Sequence, residues 1–200
     1  MNLSYEQIDA LQELVNIGVG HAAGVLNEMV ESHIKLQIPF VRILSPVDLK
    51  NNLSESFNGD KLSAVRLGFK GSFTGTAQLV FPRDSAALLV SILTGEQPGT
   101  PDLDAVKIGI LSEVGNIVIN GVMGAISNVL EQKLDYALPN HIEGSIDLLF
   151  SANDFAANAV VLLAQTRFNI ERLDIKGEII LIFNVGSFDA LLAAIDQISK

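Results

Sequence analysis

The chain has 200 residues, of which 48% are hydrophobic, and its 13 basic and 23 acidic residues give a formal net charge of −10. A chain of this length buries ~70% of the surface that it exposes when unfolded, so it needs no disulfide or metal ion to fold. The absence of cysteine excludes thiol catalysis, thiolate zinc sites and iron–sulfur clusters. The acidic charge predicts no nucleic-acid partner, because phosphate binding needs a cluster of Lys and Arg residues.

The first predicted element is a long amphipathic helix that begins at Tyr5. Ser4 and Gln7 have the spacing of a capping box, in which each side chain hydrogen-bonds the other residue's backbone N–H. No basic region followed by an apolar block precedes this helix, so we expect no secretory signal and a cytoplasmic protein. Apolar residues along the helix form one stripe, made of Ile8, Leu11, Val15, Ala22, Leu26 and Met29.

Two strands and a shorter helix are predicted next. Residues 63–81 alternate between polar and apolar with a period of about two, and Gly71 and Gly75 mark the turn between two strands. Pro82 near the start and Gly95 just past the end then delimit a shorter helix. Residues 95–101 (GEQPGTP) form the only convincing linker in the chain.

A second long helix is predicted after the linker, with Thr100 as its N-cap and Pro101 as its first residue. The uncharged run at residues 114–130 is slightly short for a membrane span of ~20 apolar residues, so we interpret it as a helix buried on one side. Two strands then flank a turn at Gly177, and Ser187 opens the last helix. The apolar stripe of the second long helix is Ile108, Leu111, Val118, Val122, Ile126 and Val129.

The sequence aligns with itself when it is shifted by one hundred residues. Five residues of the first long helix then meet identical residues of the second, and Pro39 meets Pro139. Because each half alone is near the size at which a core becomes marginal, we expect the halves to share one β-sheet. The prediction is an α/β (α+β) fold, with residues 1–200 as one domain of two helix–strands–helix repeats (about 1–95 and 100–200). The five matched pairs are Leu11, Glu13, Asn16, Ile17 and Gly24 with Leu111, Glu113, Asn116, Ile117 and Gly124.

Polar and small residues cover the face of each long helix opposite its apolar stripe. A single Glu–Asn pair is typical of a solvated helix face, but here Glu-x-x-Asn occurs at the same place in both copies. The first face consists of Glu6, Asp9, Glu13, Asn16, Gly20, Gly24, Asn27 and Glu31, and the second of Gly109, Glu113, Asn116, Asn120, Gly124, Ser127 and Glu131.

Glycines beside the Glu–Asn pairs need an explanation, because a glycine inside a helix costs ~0.5–1 kcal/mol relative to alanine. We predict that Gly20, Gly24 and Gly124 flatten the face so that a partner's backbone can approach the Asn. The alternatives are tight packing within the chain or a helix kink. Gly18 lies nearer the apolar stripe and is predicted to be a packing glycine.

A carboxylate and a carboxamide one turn apart offer neither a nucleophile nor a metal cage. An Asn side chain accepts one hydrogen bond from water while it donates another, which suits orienting water for attack, and a Glu can pair with a partner's cation. Such a pair could complete a site that already holds metal and phosphate. The three histidines, His21, His33 and His141, lack ligand spacing and are predicted to be ordinary surface residues.

The duplicated motif resembles the CheC/CheX/FliY family of chemotaxis phosphatases, and most closely its members with two motifs in one chain. The family signature is Asp or Ser, three residues, Glu, two residues, Asn. The first helix matches it with Asp9, Glu13 and Asn16, and the second with Glu113 and Asn116. Gly109 stands in the leading position of the second motif, so we expect the first site to contribute more turnover.

The resemblance implies a pseudo-twofold symmetric fold with exposed motif helices, and dephosphorylation of a CheY-like response-regulator receiver. It implies that each Glu contacts the receiver while each Asn positions the water that attacks the aspartyl phosphate. The protein would have no cofactor of its own, since Mg²⁺ belongs to the receiver, and we expect a monomer without a membrane span. Some family members also bind the deamidase CheD. The alternative function is a non-catalytic adaptor that binds a receiver, CheD or a flagellar switch component.

Overall fold

The computed structural model describes residues 3–29, 33–59, 61–96, 103–150, 159–170, 173–184 and 186–198. Over these residues the chain forms six helices and eight strands. Their order is α1 Tyr5–Met29, β1 Ile34–Gln37, β2 Val41–Leu44, α2 Pro46–Phe57, β3 Leu62–Gly71, β4 Gly75–Pro82, α3 Arg83–Thr94, α4 Ala105–Val129, β5 Leu134–Tyr136, β6 Asn140–Gly144, α5 Ile146–Leu149, β7 Val160–Ile170, β8 Leu173–Phe183 and α6 Ser187–Ile198. The predicted mixed α and β class is therefore confirmed.

All eight strands belong to one antiparallel sheet. Its order is β1–β7–β8–β4–β3–β5, with β2 also pairing with β7 and β6 with β3. The strands of the first half and of the second half thus meet at the β4–β8 pair, where Gly75 opposes Phe183 and Val80 opposes Glu178. Strands β1 and β2 pair with β7 of the other half, and β5 and β6 pair with β3. One sheet therefore joins both halves, whereas the internal duplication itself stays a prediction.

Helices cover both faces of the sheet. The larger core lies under α1, α3, α4 and α6, and strand residues such as Val65 and Leu181 point into it. The smaller core lies under α2 and α5, and Ala64 and Ile180 point into it. Successive strand residues face opposite sides of a sheet, so strands buried on both faces are almost continuously apolar. The motif helices α1 and α4 belong to the larger core.

The start of α1 follows the capping-box prediction. The Ser4 N–H donates to Gln7 Oε1 over 3.0 Å, and the Gln7 N–H donates to Ser4 Oγ over 3.2 Å, so the helix begins at Tyr5. Most of both predicted stripes is buried. At the helix ends, Ile8, Met29 and Val129 are 38%, 57% and 39% exposed, because fewer elements cover the terminal turns.

Helix α4 begins later than the sequence predicts. Asp104 is its N-cap and accepts a 2.9 Å hydrogen bond from the Lys107 N–H, so the first helical residue is Ala105. Thr100 and Pro101, the predicted cap and first residue, lie outside the described residues, as does most of the predicted linker. Cap chemistry explains the error, because an Asp three residues before a free backbone N–H competes with Thr as an N-cap.

Two further predictions are corrected by the structure. Gly177 lies inside β8 rather than at a turn. Glycine is needed at this position because a Cβ would lie 2.5 Å from the Phe81 ring. The predicted helix–strands–helix unit does not include the short helices α2 and α5. Local sequence explains the start of α2, since Ser45 caps this helix by accepting from the Asp48 N–H and Pro46 occupies the first turn.

Helix α4 is long and apolar enough to cross a membrane by length and composition, with a mean hydropathy of 1.4 over its most apolar window. Nearly half of that window, 44%, is buried inside the protein. Leu111, Val118 and Ile126 are completely buried against the sheet and α1. The prediction of a helix buried on one side is confirmed.

Candidate functional site

The two motif helices pack against each other through glycine. A Cβ at Gly18 would lie 2.3 Å from Val122 Cα, and one at Gly121 would lie 2.5 Å from the Gly18 carbonyl oxygen. The backbones therefore touch directly, and Gly18 is the packing glycine that the sequence predicts. A cavity lined by Leu26 of α1 and Val114 of α4 shows that the helices run antiparallel.

The first motif lies on the outward side of this helix pair. Asp9, Glu13 and Asn16 are all exposed, whereas Leu11 and Val15 between them are buried. At 3.6 residues per turn, Asn16 lies about 160° around the helix from Gly18, which contacts α4. The three predicted residues therefore share one surface that faces away from α4.

The second motif lies at the corresponding positions of α4, but its surroundings differ. Glu113 is exposed, but Asn116 is half-buried. The Asn120 side-chain amide, one turn onward, donates a 2.8 Å hydrogen bond from its Nδ2 to Asn116 Oδ1. Residue 20, at the matching position of α1, is glycine. The sequence comparison placed Asn120 on the polar face but did not identify this contact.

The distance between the two motifs follows from helix geometry. With a rise of 1.5 Å per residue and the crossing at Gly18 and Gly121, Asn16 and Asn116 lie about 10 Å apart along the helix axes. The two Glu residues, Glu13 and Glu113, lie about 20 Å apart on the same measure. With these separations the two motifs form separate surfaces on the helix pair.

The glycines of the motif faces have no packing role within the described chain. A Cβ at Gly20, Gly24, Gly109 or Gly124 would have no atom within 4 Å. Tight packing, one of the alternatives for Gly20, Gly24 and Gly124, is therefore wrong for the residues described. Both helices run without a break through these positions, and a kink at the glycines stays an alternative. Contact with a partner stays a prediction.

The far ends of the two polar faces are structural. The Asn27 side chain makes two hydrogen bonds with the backbone of Ile34 in β1. Its Nδ2 donates to the Ile34 carbonyl, and its Oδ1 accepts from the Ile34 N–H. Ser127 Oγ donates to the Gln132 carbonyl, and Glu131 has a left-handed backbone with φ of 52° at the end of α4. Glu31 lies outside the described residues. The candidate surface therefore ends before Asn27 in α1 and before Ser127 in α4.

An apolar cavity of about 360 Å³ lies beside the second motif. It is lined by the exposed side chains of Met29 and Val106, by Ile110 and Gly109, and by Glu113 at its edge. The cavity exists because α1 and α3 end where α4 begins. No local sequence pattern could have predicted it, since it joins three elements that are distant along the chain.

Among the described residues, no side chain neutralises the charge of the motif carboxylates, which leaves them available to a partner. Neither Glu13 nor Glu113 forms a salt bridge with any of them. Within the same part of the chain, no three His, Asp or Glu side chains come together as metal ligands. Each site therefore offers one carboxylate and one carboxamide, which can bind a cation and orient a water molecule.

The histidines do not contribute to either motif surface. His21 and His33 are exposed, as predicted for surface residues. His141 is half-buried in β6, and its Nε2 lies 2.8 Å from Ser63 Oγ, so the prediction of a surface residue is wrong there. Burial lowers the pKa of His141, while the charge of Glu143 opposes that shift.

Comparisons with known proteins identify relatives of this chain. No protein-family model matches it. The CheY-P phosphatase CheC of Bacillus subtilis is 24% identical over 207 aligned residues, which cover 95% of this chain and 94% of that protein. FliY of Thermotoga maritima has the same fold, with a TM-score of 0.79 and 18% identity over 98% of this chain and 99% of that chain.

A more distant structural neighbour is the CheX–CheY–BeF3–Mg²⁺ complex from Borrelia burgdorferi. Its TM-score is 0.53 at 19% identity, covering 86% of this chain and 99% of that chain. These neighbours share the α-and-β architecture described above. The chain is homologous to CheC over nearly its whole length, and these relatives support the resemblance of its Glu-x-x-Asn helices to the CheC/CheX/FliY family.

Proposed function

We propose that the protein is a phosphatase that hydrolyses the aspartyl phosphate of a CheY-like receiver domain. Homology to the CheY-P phosphatase CheC over 95% of the chain is the observation that carries this proposal. The CheX–CheY–BeF3–Mg²⁺ complex supports the choice of partner, because a protein of similar fold binds CheY there. We also retain the expectations of a cytoplasmic monomer and of CheD as a second partner.

In this proposal each exposed motif acts on the partner's site. Glu13 and Glu113 bind a cation of the receiver, and Asn16 and Asn116 accept from the attacking water while they donate to an oxygen of the substrate. A fixed carboxamide lowers the entropic cost of orienting that water. The chain supplies no cofactor, and Mg²⁺ is held by the receiver. Asp9, Gly20, Gly24 and Gly124 form the surface on which the receiver lies.

The test is phosphate release from phosphorylated receivers in Mg²⁺. We expect faster release with the protein present, and no comparable hydrolysis of p-nitrophenyl phosphate. Asn16→Ala and Asn116→Ala should each remove part of the activity, and the double variant nearly all of it, because the two motif surfaces are separate. Asn16→Ala at an exposed position should change stability by only about ±0.5 kcal/mol, whereas Asn116→Ala at a half-buried position also loses the hydrogen bond from Asn120, so the folding of each variant is measured as the control.

Two results would reject the proposal. Full activity in the folded double variant would show that the Asn side chains have no role in hydrolysis. Tight binding of a phosphorylated receiver without any acceleration of its dephosphorylation would favour the alternative, a non-catalytic adaptor.

A further inference from the structure

The side chain of Asn120 holds the side chain of Asn116. Its Nδ2 donates to Asn116 Oδ1 over 2.8 Å, and the two residues are one helical turn apart. Both residues are half-buried. The terminal torsion of an Asn side chain is broad and two-fold, so a free carboxamide samples many orientations. The hydrogen bond from Asn120 removes that freedom from Asn116.

The same contact is missing from the first motif. Gly20 stands where Asn120 stands in the second helix, and it has no side chain to offer. Asn16 is exposed, and within the described part of the chain its carboxamide makes no hydrogen bond. The two motifs therefore present the same carboxamide, fixed in one copy and free in the other.

Stability alone does not explain the Asn120 side chain. Its Oδ1 is buried and has no hydrogen-bond partner among the described residues. A buried acceptor without a partner is destabilising, and such groups in folded proteins call for an explanation. The orientation of Asn116 is such an explanation. The residue that carries the unpaired acceptor, Asn120, is also the residue that holds the carboxamide proposed to orient water.

We propose that Asn120 is a positioning residue that orients the Asn116 carboxamide for hydrolysis at the second site, an inference that rests on the proposed phosphatase function. With Oδ1 held by Asn120, both Nδ2 hydrogens of Asn116 and the second lone pair of its Oδ1 stay available to substrate and water. Asn120 itself touches neither. Its contribution is to kcat, because orientation is fixed before the receiver binds.

The experiment isolates the second site in the Asn16→Ala background. There, Asn120→Leu keeps the branching of the side chain but removes the donor, and it should lower kcat about fivefold with little change in KM. Asn120→Gln keeps an amide donor at a spacing that supports such pairs and should retain most of kcat. Asn120→Asp can only accept a hydrogen bond, so it should reverse the Asn116 carboxamide and lower kcat at least as much as Leu.

The first site provides the reciprocal test in the Asn116→Ala background. Gly20→Asn has space within the chain, since a Cβ at Gly20 meets nothing within 4 Å, and it should raise kcat several-fold at saturating receiver while also raising KM, because the new side chain occupies the surface on which the receiver lies. In this same background Asn120→Leu should change nothing, because its target is gone. Two results would overturn the positioning role. One is a loss of activity on adding Asn120→Leu to the Asn116→Ala background, and the other is an unchanged kcat on adding Asn120→Leu to the Asn16→Ala background. Wild-type activity in Asn120→Asp would overturn the stated direction of the hydrogen bond.

Hydrogen exchange at the side-chain amides separates this inference from the proposed function. The Asn120 side-chain amide protons should exchange more slowly than those of Asn16, and Asn116→Ala should remove that protection. Equal exchange of the two side chains overturns the inference whether or not the protein is a phosphatase. If exchange is slow as expected but no receiver loses phosphate, the proposed function fails and the positioning role fails with it.

Discussion

Replacing the buried carboxyl group of Glu178 should change how stability depends on pH. Glu178 lies in β8, is only 2% exposed and faces the smaller core beside Phe57. Burial raises its pKa to about 7, against the smaller opposing effects of a hydrogen bond with Gln165 and the charge of Arg42. Its Oε2 has no partner among the described residues. The folded protein therefore favours the protonated form.

The sign and size of the effect follow from proton linkage. Between pH 4.5 and pH 7 the folded state binds more protons at Glu178 than the unfolded state, so this group makes stability fall as pH rises. Its favourable contribution is complete below the unfolded pKa and is lost as pH passes the folded pKa. At 1.36 kcal/mol per pKa unit, the loss between pH 5 and pH 8 is about 2–3 kcal/mol.

The assay is urea unfolding of the wild type and Glu178→Gln from pH 5 to pH 8.5. The amide cannot ionise, so the variant should gain about 2–3 kcal/mol relative to the wild type across this range. Any constant offset from repacking is subtracted by comparing pH values. Glu28→Gln, at an exposed carboxylate of α1, is the matched control and should track the wild type. Parallel curves for wild type and Glu178→Gln would refute the reasoning.

Three further substitutions test the glycine contacts. Gly18→Ala should destabilise the protein by about 1–3 kcal/mol, because its Cβ would collide with Val122 Cα, whereas Gly24→Ala has open space and should stabilise by about 0.5–1 kcal/mol. Chemical unfolding of the two variants checks this pair, and equal changes would contradict it. Gly177→Ala should cost about 1–3 kcal/mol by displacing the Phe81 ring, and a melting temperature equal to that of the wild type would contradict it.

Local chemistry made part of the fold predictable. The start of α1 follows from Ser4 and Gln7, and the bounds of α3 follow from Pro82 and Gly95, because capping and left-handed backbone depend on a few neighbouring residues. The exchange of edge strands between the halves could not be read in the same way. It depends on pairings such as Ile34 with Ile170, which are distant in sequence.

For the candidate sites, the sequence predicted the helix faces but not the surroundings of each side chain. The spacing of Glu13 and Asn16, repeated at Glu113 and Asn116, indicated which helix faces matter. The environment of each side chain depends on tertiary packing, so the apolar cavity beside Glu113 had no sequence signal. The Asn116–Asn120 contact did have one, since residues four apart face each other on a helix.

The difference between the motifs bears on which site turns over faster. Sequence comparison favours the first site, because Asp9 can meet a partner cation and Gly109 cannot. The structure adds an effect that favours the second site, since Asn116 is held by Asn120 whereas Asn16 is free. The two effects act on different kinetic constants. The exposed charge of Asp9 strengthens the encounter with the receiver and lowers KM, whereas a fixed carboxamide speeds the chemical step and raises kcat.

We therefore expect the ranking of the two sites to depend on substrate concentration. At low phosphorylated receiver, Asn16→Ala should be the costlier variant, because the first site binds better. At saturation, Asn116→Ala should be costlier, because the second site is better oriented. Initial phosphate-release rates over a range of receiver concentrations measure both constants, with Asp9→Asn as the control that should raise KM of the first site alone. If one variant is the more damaging at every concentration, a single asymmetry controls both constants and this division between binding and orientation is wrong.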